Sequence, residues 1–320
     1  MTVIAPREIT TRPRFSDRVF RVIVTSGGMA ALIVLGLITA FLAARSAPVF
    51  QTFGLDFVTG EVWIPNNAED PADTGTFGIG AMLVGTLLTA VIALLIALPV
   101  SVAAALFLTQ YAPRALRTPL TVLVDLMAAI PSIVYGLWGY FVLMPHAIYW
   151  AKLLHKWFGS IPLFDVPAPI FERSPFIAGL VLAVMIIPII TAVTREVLSQ
   201  APRDRIEAAY ALGATKWAAI RAVVLPHGKA GIAGGAMLGL GRALGETVAV
   251  YLVLNLVFDI NFKILASAGG SVASLIVNKF GEATEFEIQG LMAAGLVLFL
   301  LTLLVNFIAD LIVRFSGKGA

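Results

Sequence analysis

The 320-residue chain is 59% hydrophobic and only 13% charged, with a mean hydropathy of +0.94. A soluble domain is about a quarter charged, so too few charges are present to coat a water-facing surface, and an ordinary soluble protein is excluded. The absence of cysteine excludes disulfides, thiolate metal sites and cysteine nucleophiles, and the net charge of +3 matters less than where the charges lie.

The apolar residues come in long blocks, which predicts an all-α polytopic membrane protein rather than the alternating strands of a barrel. Six blocks predict six transmembrane helices: 22–44, a stretch within 79–108, about 120–144, 176–194, about 230–257 and 288–309. Each is close to or above the roughly 20 residues that cross a bilayer. The first follows Arg18 and Arg21 but is too long for a signal-peptide core, so it is expected to be an uncleaved span. Pro99, Pro131 and Pro188 fall inside spans and are expected to kink them, because proline removes a backbone donor.

Lysine and arginine placement sets orientation. With the N-terminus inside, fifteen of the 22 cations fall in cytoplasmic segments and six outside, with Arg242 inside a span. Both termini are therefore expected in the cytoplasm. The expected organisation is a cytoplasmic tail over 1–21, a first span and outer loop over 22–78, a transmembrane core over 79–310 and a cytoplasmic tail over 311–320. His146, His155 and His227 lie far apart without ligand spacing, so no metal site is expected. Nothing points to nucleic acid; membrane lipid is the expected surround.

The longest cytoplasmic segment, about 195–231, reads as two short helices. Pro202 suits a helix start, and Ile206, Ala209, Tyr210 and Leu212 form a helical stripe. Gly213 supplies the helix-ending turn, Thr215 caps a second helix, and Pro226 is expected to stop it. Such an exposed elbow suits a partner's groove, or rests on the membrane surface.

The order Glu207-Ala208-Ala209, three residues, Gly213, nine residues, Val223, one residue, Leu225-Pro226 resembles the EAA loop of ABC importer permeases. The family usually has isoleucine where Val223 stands. "AAIPSIVYGLWGYFVLMP" (128–145) and "GLGRALGETVAV" (239–250) resemble phosphate-specific permeases, and the glycine-tryptophan-glycine pattern favours the PstC type. The resemblance covers roughly residues 75–310. It implies the type I importer permease fold in a bacterial inner membrane, moving inorganic phosphate inward by alternating access. It further implies a second, PstA-type permease, an ATPase dimer docked on the elbow, and an external phosphate-binding protein. Glu207, Ala208, Ala209, Gly213, Leu225 and Pro226 would carry the coupling. ATP and magnesium would sit in the partner ATPase, since this chain has no G-x-x-x-x-G-K-[ST] and is expected to be no enzyme itself.

The fifth block carries two charges. Gly231, Gly235 and Gly239 recur every four residues, as do Gly241 and Gly245, a spacing that makes a flat face for close helix packing. Arg242 lies some twelve residues into the span, about 18 Å at 1.5 Å per residue, where a charge is costly. Glu246 follows one turn later on the same helical face and is expected to pair with it. One reading is a self-neutralised pair that fixes helix rotation. The other is an anion path in which the Arg242 fork holds an oxyanion weakly and Glu246 is its resting partner. The resemblance assigns both residues to phosphate passage. Asp125 is expected to pair with Arg117 or to cap a helix, and the hydroxyls of Ser132, Tyr135, Tyr140 and Thr247 are further lining candidates. A secondary anion transporter driven by an ion gradient, or an ABC permease for sulfate or molybdate, is the alternative reading.

Overall fold

The computed structural model describes residues 15–65 and 74–317, with side chains to residue 311. Most of the expected N-terminal tail, much of the acidic outer loop and the end of the C-terminal tail lie outside the described residues.

Helix α1 (Phe15–Phe53) is followed by a single turn, α2 (Asp56–Thr59), and by two short strands. These are β1 (Trp63–Ile64) and β2 (Thr76–Phe77), antiparallel with Trp63 opposite Phe77, so the fold is helical but not purely so. Then come α3 (Gly80–Leu106), α4 (Arg114–Ala129), α5 (Ser132–Trp138), α6 (Met144–Phe158) and α7 (Pro175–Ser199). The chain continues through α8 (Arg203–Ala211), α9 (Lys216–Ala219), α10 (Leu225–Leu244), α11 (Val248–Val253), α12 (Val272–Lys279) and α13 (Glu285–Gly317).

Among the described residues four helices are long and apolar enough to cross a membrane: α1, α3 with its last turn, α7 and α13. The pair α4 and α5–α6 makes a fifth if counted as one span, but it bends by 93°. The expected third span, 120–144, therefore straddles a corner. Pro131 lacks the donor that would continue α4, and Ile130 is extended at ψ 131°. Pro99 and Pro188, by contrast, sit inside unbroken helices. Ser101 on α3 donates to the Ile187 carbonyl at 3.1 Å, tying the two proline regions together. The expected fifth span is divided between α10 and the six-residue α11.

Helix α7 is the hub. Of its most apolar stretch 61% is buried inside the chain, against 28% for α3, 22% for α13 and none for α1, which packs mainly along α13 and, at its end, against Phe57 and Phe77. The main core is built where α3, α5, α6, α10 and α11 meet α7, around Ile177, Val181, Leu182, Met185, Ile186 and Ile190. The glycine face predicted on α10 forms as expected. A methyl group at Gly231 would meet the Val197 side chain, at Gly239 it would stand 2.7 Å from Ile190, and at Gly235 3.3 Å from the Ile190 carbonyl. The second pair behaves differently: Gly241 and Gly245 meet nothing closer than 3.6 Å.

Among the described residues three wide, π-type turns interrupt the helices, at Phe107–Tyr111, Gly139–Leu143 and Ile220–Val224. Each ends two residues before a proline: Pro113, Pro145 and Pro226. A proline ring crowds the carbonyl four residues back, and widening that turn by one residue relieves the clash. Pro226 thus does not stop the second elbow helix. The chain stays helical from Lys216 to Leu244, with the Leu225 amide bonded to the Ile220 carbonyl across the wide turn.

At the pole opposite the elbow, Trp63 Nε1 donates to buried Glu287 at 2.7 Å, and Lys263 Nζ donates to Asp165 at 2.7 Å. The lysine holds the Asp165 carboxyl below its ordinary value. A lowered carboxyl stabilises the folded loops above its unfolded pKa and loses that contribution as pH falls through the folded one. Hydrogen exchange at the Ile264 and Ala266 amides should therefore be insensitive to protonation of Asp165 between about pH 5 and 8. It should rise at those amides in Asp165→Asn across the same range; unchanged exchange in that variant would show that the pair holds nothing.

Candidate functional site

The elbow is built as its residues dictate. Pro202 precedes α8, and the helix closes with Ala214 N–H bonded to the Ala209 carbonyl at 3.0 Å and Gly213 N–H to Tyr210 at 2.9 Å. That paired closure requires a left-handed residue, and Gly213 supplies it at φ +82°. The Thr215 hydroxyl accepts from Ala218 N–H at 3.3 Å and caps α9. On the inner side Ile206, Ile220, Val224 and Leu225 pack onto Ala105 and Leu198 at the ends of α3 and α7. On the outer side Glu207, Ala208, Gly213 and Pro226 are exposed and Ala209 is half-buried. Around them stand the exposed side chains of Tyr210, Leu212 and Trp217, with Leu212 89% exposed. Trp217 was not singled out in the sequence; its place at the start of a capped helix was the available signal.

The Arg242–Glu246 pairing expected from their spacing does not form. Pairing at i, i+4 needs one continuous helix, whereas α10 ends at Leu244 and the chain turns through Gly245–Thr247. Glu246 is buried to 9% exposure and its carboxylate accepts from Ala249 N–H at 3.3 Å, capping α11. Arg242 is exposed and has no hydrogen bond or ion pair among the described residues. Its charge reaches the Tyr135 hydroxyl electrostatically. Tyr135 is itself buried and donates to the Met127 carbonyl at 2.7 Å across the Pro131 corner. Thr247 donates back to Gly245 at 3.3 Å and Ser132 is half-buried. Asp125 pairs with Arg195 at 3.6 Å rather than with Arg117, which instead donates to the Leu108 and Thr109 carbonyls.

A cavity of about 430 Å³ opens beyond the far end of α11. Tyr140, Arg173, Tyr251, Asn255, Ser274 and Asn278 line it. The Arg173 guanidinium lies 5.3 Å over the Tyr140 ring, and its backbone is left-handed at φ 48°, uncommon for a side-chain-bearing residue. Tyr140 is a candidate from the sequence; Arg173, Asn255 and Asn278 are not, because two come from separate connections and the third from the end of α12, with no shared local pattern.

The arrangement can hold an anion without chemistry on it. The Arg242 fork offers five donors at fixed angles, and among the described residues no carboxylate occupies them. Among the described residues no group of three or more histidine and acidic side chains gathers as for a metal.

Residues 97–319 match the family described as the binding-protein-dependent transport system inner membrane component. The chain belongs to that family. It is 42% identical to the phosphate transport system permease protein PstC of Pasteurella multocida over 287 residues, 88% of this chain and 86% of that one. It is 40% identical to the phosphate transport system permease protein PstC 2 of Mycobacterium tuberculosis over 315 residues, 97% and 96% of the two chains. Among solved structures it resembles a bacterial ABC transporter involved in the import of the acidic polysaccharide alginate. That match has a TM-score of 0.52 at 16% identity, covering 93% of this chain and 98% of that one. The fold is thus that of an ABC importer permease, and the chain is a multi-pass inner-membrane component of a multi-subunit transport system.

Because Glu246 serves α11 through an acceptor atom, its two roles separate by substitution. Glu246→Ala should destabilise the purified protein by about 1 kcal/mol through the lost cap, whereas Glu246→Gln keeps an acceptor and should melt close to wild type. Equal melting of both variants would rule out the cap.

Proposed function

We propose that the chain is the PstC-type permease subunit of an ATP-driven importer of inorganic phosphate. The observation that supports this best is the phosphate transport naming of relatives about 40% identical over nearly the whole chain. The site suits that reading, because an uncommitted guanidinium stands on the same continuous helix as the elbow. Lys216 and Arg242 are 26 residues apart, about 39 Å along a helix.

On this reading the elbow's pole is cytoplasmic, both termini are inside, and the chain crosses the membrane six times. An external binding protein delivers phosphate to the outer cavity, where Arg173 and the amides receive it. Phosphate passes to Arg242, whose fork binds weakly enough for the anion to leave. A PstA-type partner closes the other half of the path. The ATPase dimer, which holds ATP and magnesium, grips Glu207, Ala208, Ala209 and Gly213 with Leu212 and Trp217 in its groove. Its closure moves α9, and the unbroken helix carries that motion to Arg242. The permease makes and breaks no covalent bond.

Purification through a tag on this chain should bring an ATPase and a second permease; a chain purified alone would count against the assembly. Gly213→Trp or Glu207→Arg should release the ATPase, and retention of it in both variants would remove the docking role. Arg242→Ala should lower phosphate uptake at least about tenfold in cells lacking other phosphate systems, the worth of one charge-assisted contact. Arg242→Ala with Glu246→Ala should do no better. Undiminished uptake in the double variant defeats the path.

A further inference from the structure

A larger cavity, about 580 Å³, lies at the elbow's pole between the ends of α3 and α7, the start of α4 and the start of α8. Three arginines line it: Arg117 from α4, Arg195 from α7 and Arg203 from α8, beside Thr118, Thr121 and Ser199. One carboxylate, Glu196, shares the lining and accepts from Gln200 at 3.1 Å. Arg195 spends one nitrogen on Asp125 at 3.6 Å; its other terminal nitrogen, Nη1, is buried with no hydrogen-bond partner among the described residues. Among the described residues Arg203 has neither an ion pair nor a hydrogen bond. A buried charged donor left unmade is costly, and three like charges around one space repel.

From this we infer that the cavity is an anion site for a phosphate group, bridging the elbow to the spans. Guanidinium donors from three different elements match the oxygens of a phosphate: the Arg203 fork, the spare Nη1 of Arg195, and what Arg117 keeps beside its bonds to the Leu108 and Thr109 carbonyls. The Thr118 and Thr121 hydroxyls add neutral donors. Arg203 rides on α8, which Pro202 joins to α7. An anion shared with Arg117 and Arg195 therefore ties the coupling elbow to α4 and α7 and restrains its movement. The site lies at the far end of α10 from Arg242, so it is not part of the path. Two sources carry this chemistry: free inorganic phosphate and the headgroup of an anionic phospholipid. The site itself stands apart from the transport reading.

The test is site-resolved arginine modification by phenylglyoxal on the full-length chain in nanodiscs, read by peptide mass spectrometry. Exposed Arg205, outside the cavity lining, is the internal reference. One arm uses phosphatidylcholine discs with inorganic phosphate against chloride at equal ionic strength. The other uses discs containing phosphatidylglycerol without phosphate. Labelling of Arg203 and Arg117 should fall relative to Arg205 by the factor 1 + [L]/Kd, about threefold at twice Kd. Protection in the first arm identifies free phosphate, and in the second a lipid headgroup; either supports the site. In Arg203→Gln the protection of Arg117 should shrink, since the ligand is shared. Unchanged labelling in both arms, or full Arg117 protection in that variant, overturns the proposal. Because the readout is labelling and not uptake, its failure leaves the phosphate-importer reading standing, and failed uptake predictions leave the site standing.

Discussion

The close approach of α10 to α7 is the contact on which the rest of the arrangement depends. In an apolar medium helices gain nothing from hiding from lipid, so they associate through packing that brings backbones together. Glycines at 228, 231, 235 and 239 remove the side chains that would hold α10 away from Leu198, Val197 and Ile190. With α10 seated there, its start is carried to the elbow and its end to the α5–α11 contact. Gly136 of α5 lies so close to Ala249 that a methyl group would stand 2.9 Å from its Cα. The position of Arg242 is thus set at both ends by glycines rather than by its own bonds.

Much of this was legible because it is local. The elbow's start at Pro202, its turn at Gly213 and its cap at Thr215 each follow from one residue's backbone preference, and all three formed. The glycine face of α10 was readable for the same reason. What failed was extrapolation along a helix. The spacing pairs Arg242 with Glu246 only on an unbroken span, but the turn at Gly245–Thr247 directs Glu246 to the α11 backbone. Pro226 reads as a stop because its missing donor is visible in sequence, whereas the wide turn that absorbs the loss is not. Asp125 found Arg195 rather than Arg117 because Arg117 lies eight residues, about 12 Å, back along the same helix α4, whereas the packing of α4 on α7 brings Arg195 to it, a tertiary outcome.

The candidate site residues divide the same way. The elbow segment is contiguous and carries a recognisable order. The two cavities are assembled from connections and helix ends far apart in sequence: Arg173 with Asn255 and Asn278 at one pole, Arg117 with Arg195 and Arg203 at the other. No spacing rule unites them, and only the fold brings them together.

The wide turn at Ile220–Val224 has one more implication, which concerns phase. It inserts a residue into an otherwise regular helix, so everything after it is rotated by about 100° relative to an unbroken α-helix. The face that α9 shows to the elbow and the face on which Arg242 stands are therefore out of step with any 3.6-residue count made across them. The azimuth of the guanidinium, and with it the neighbours it can face, is set by that single inserted residue some twenty positions away.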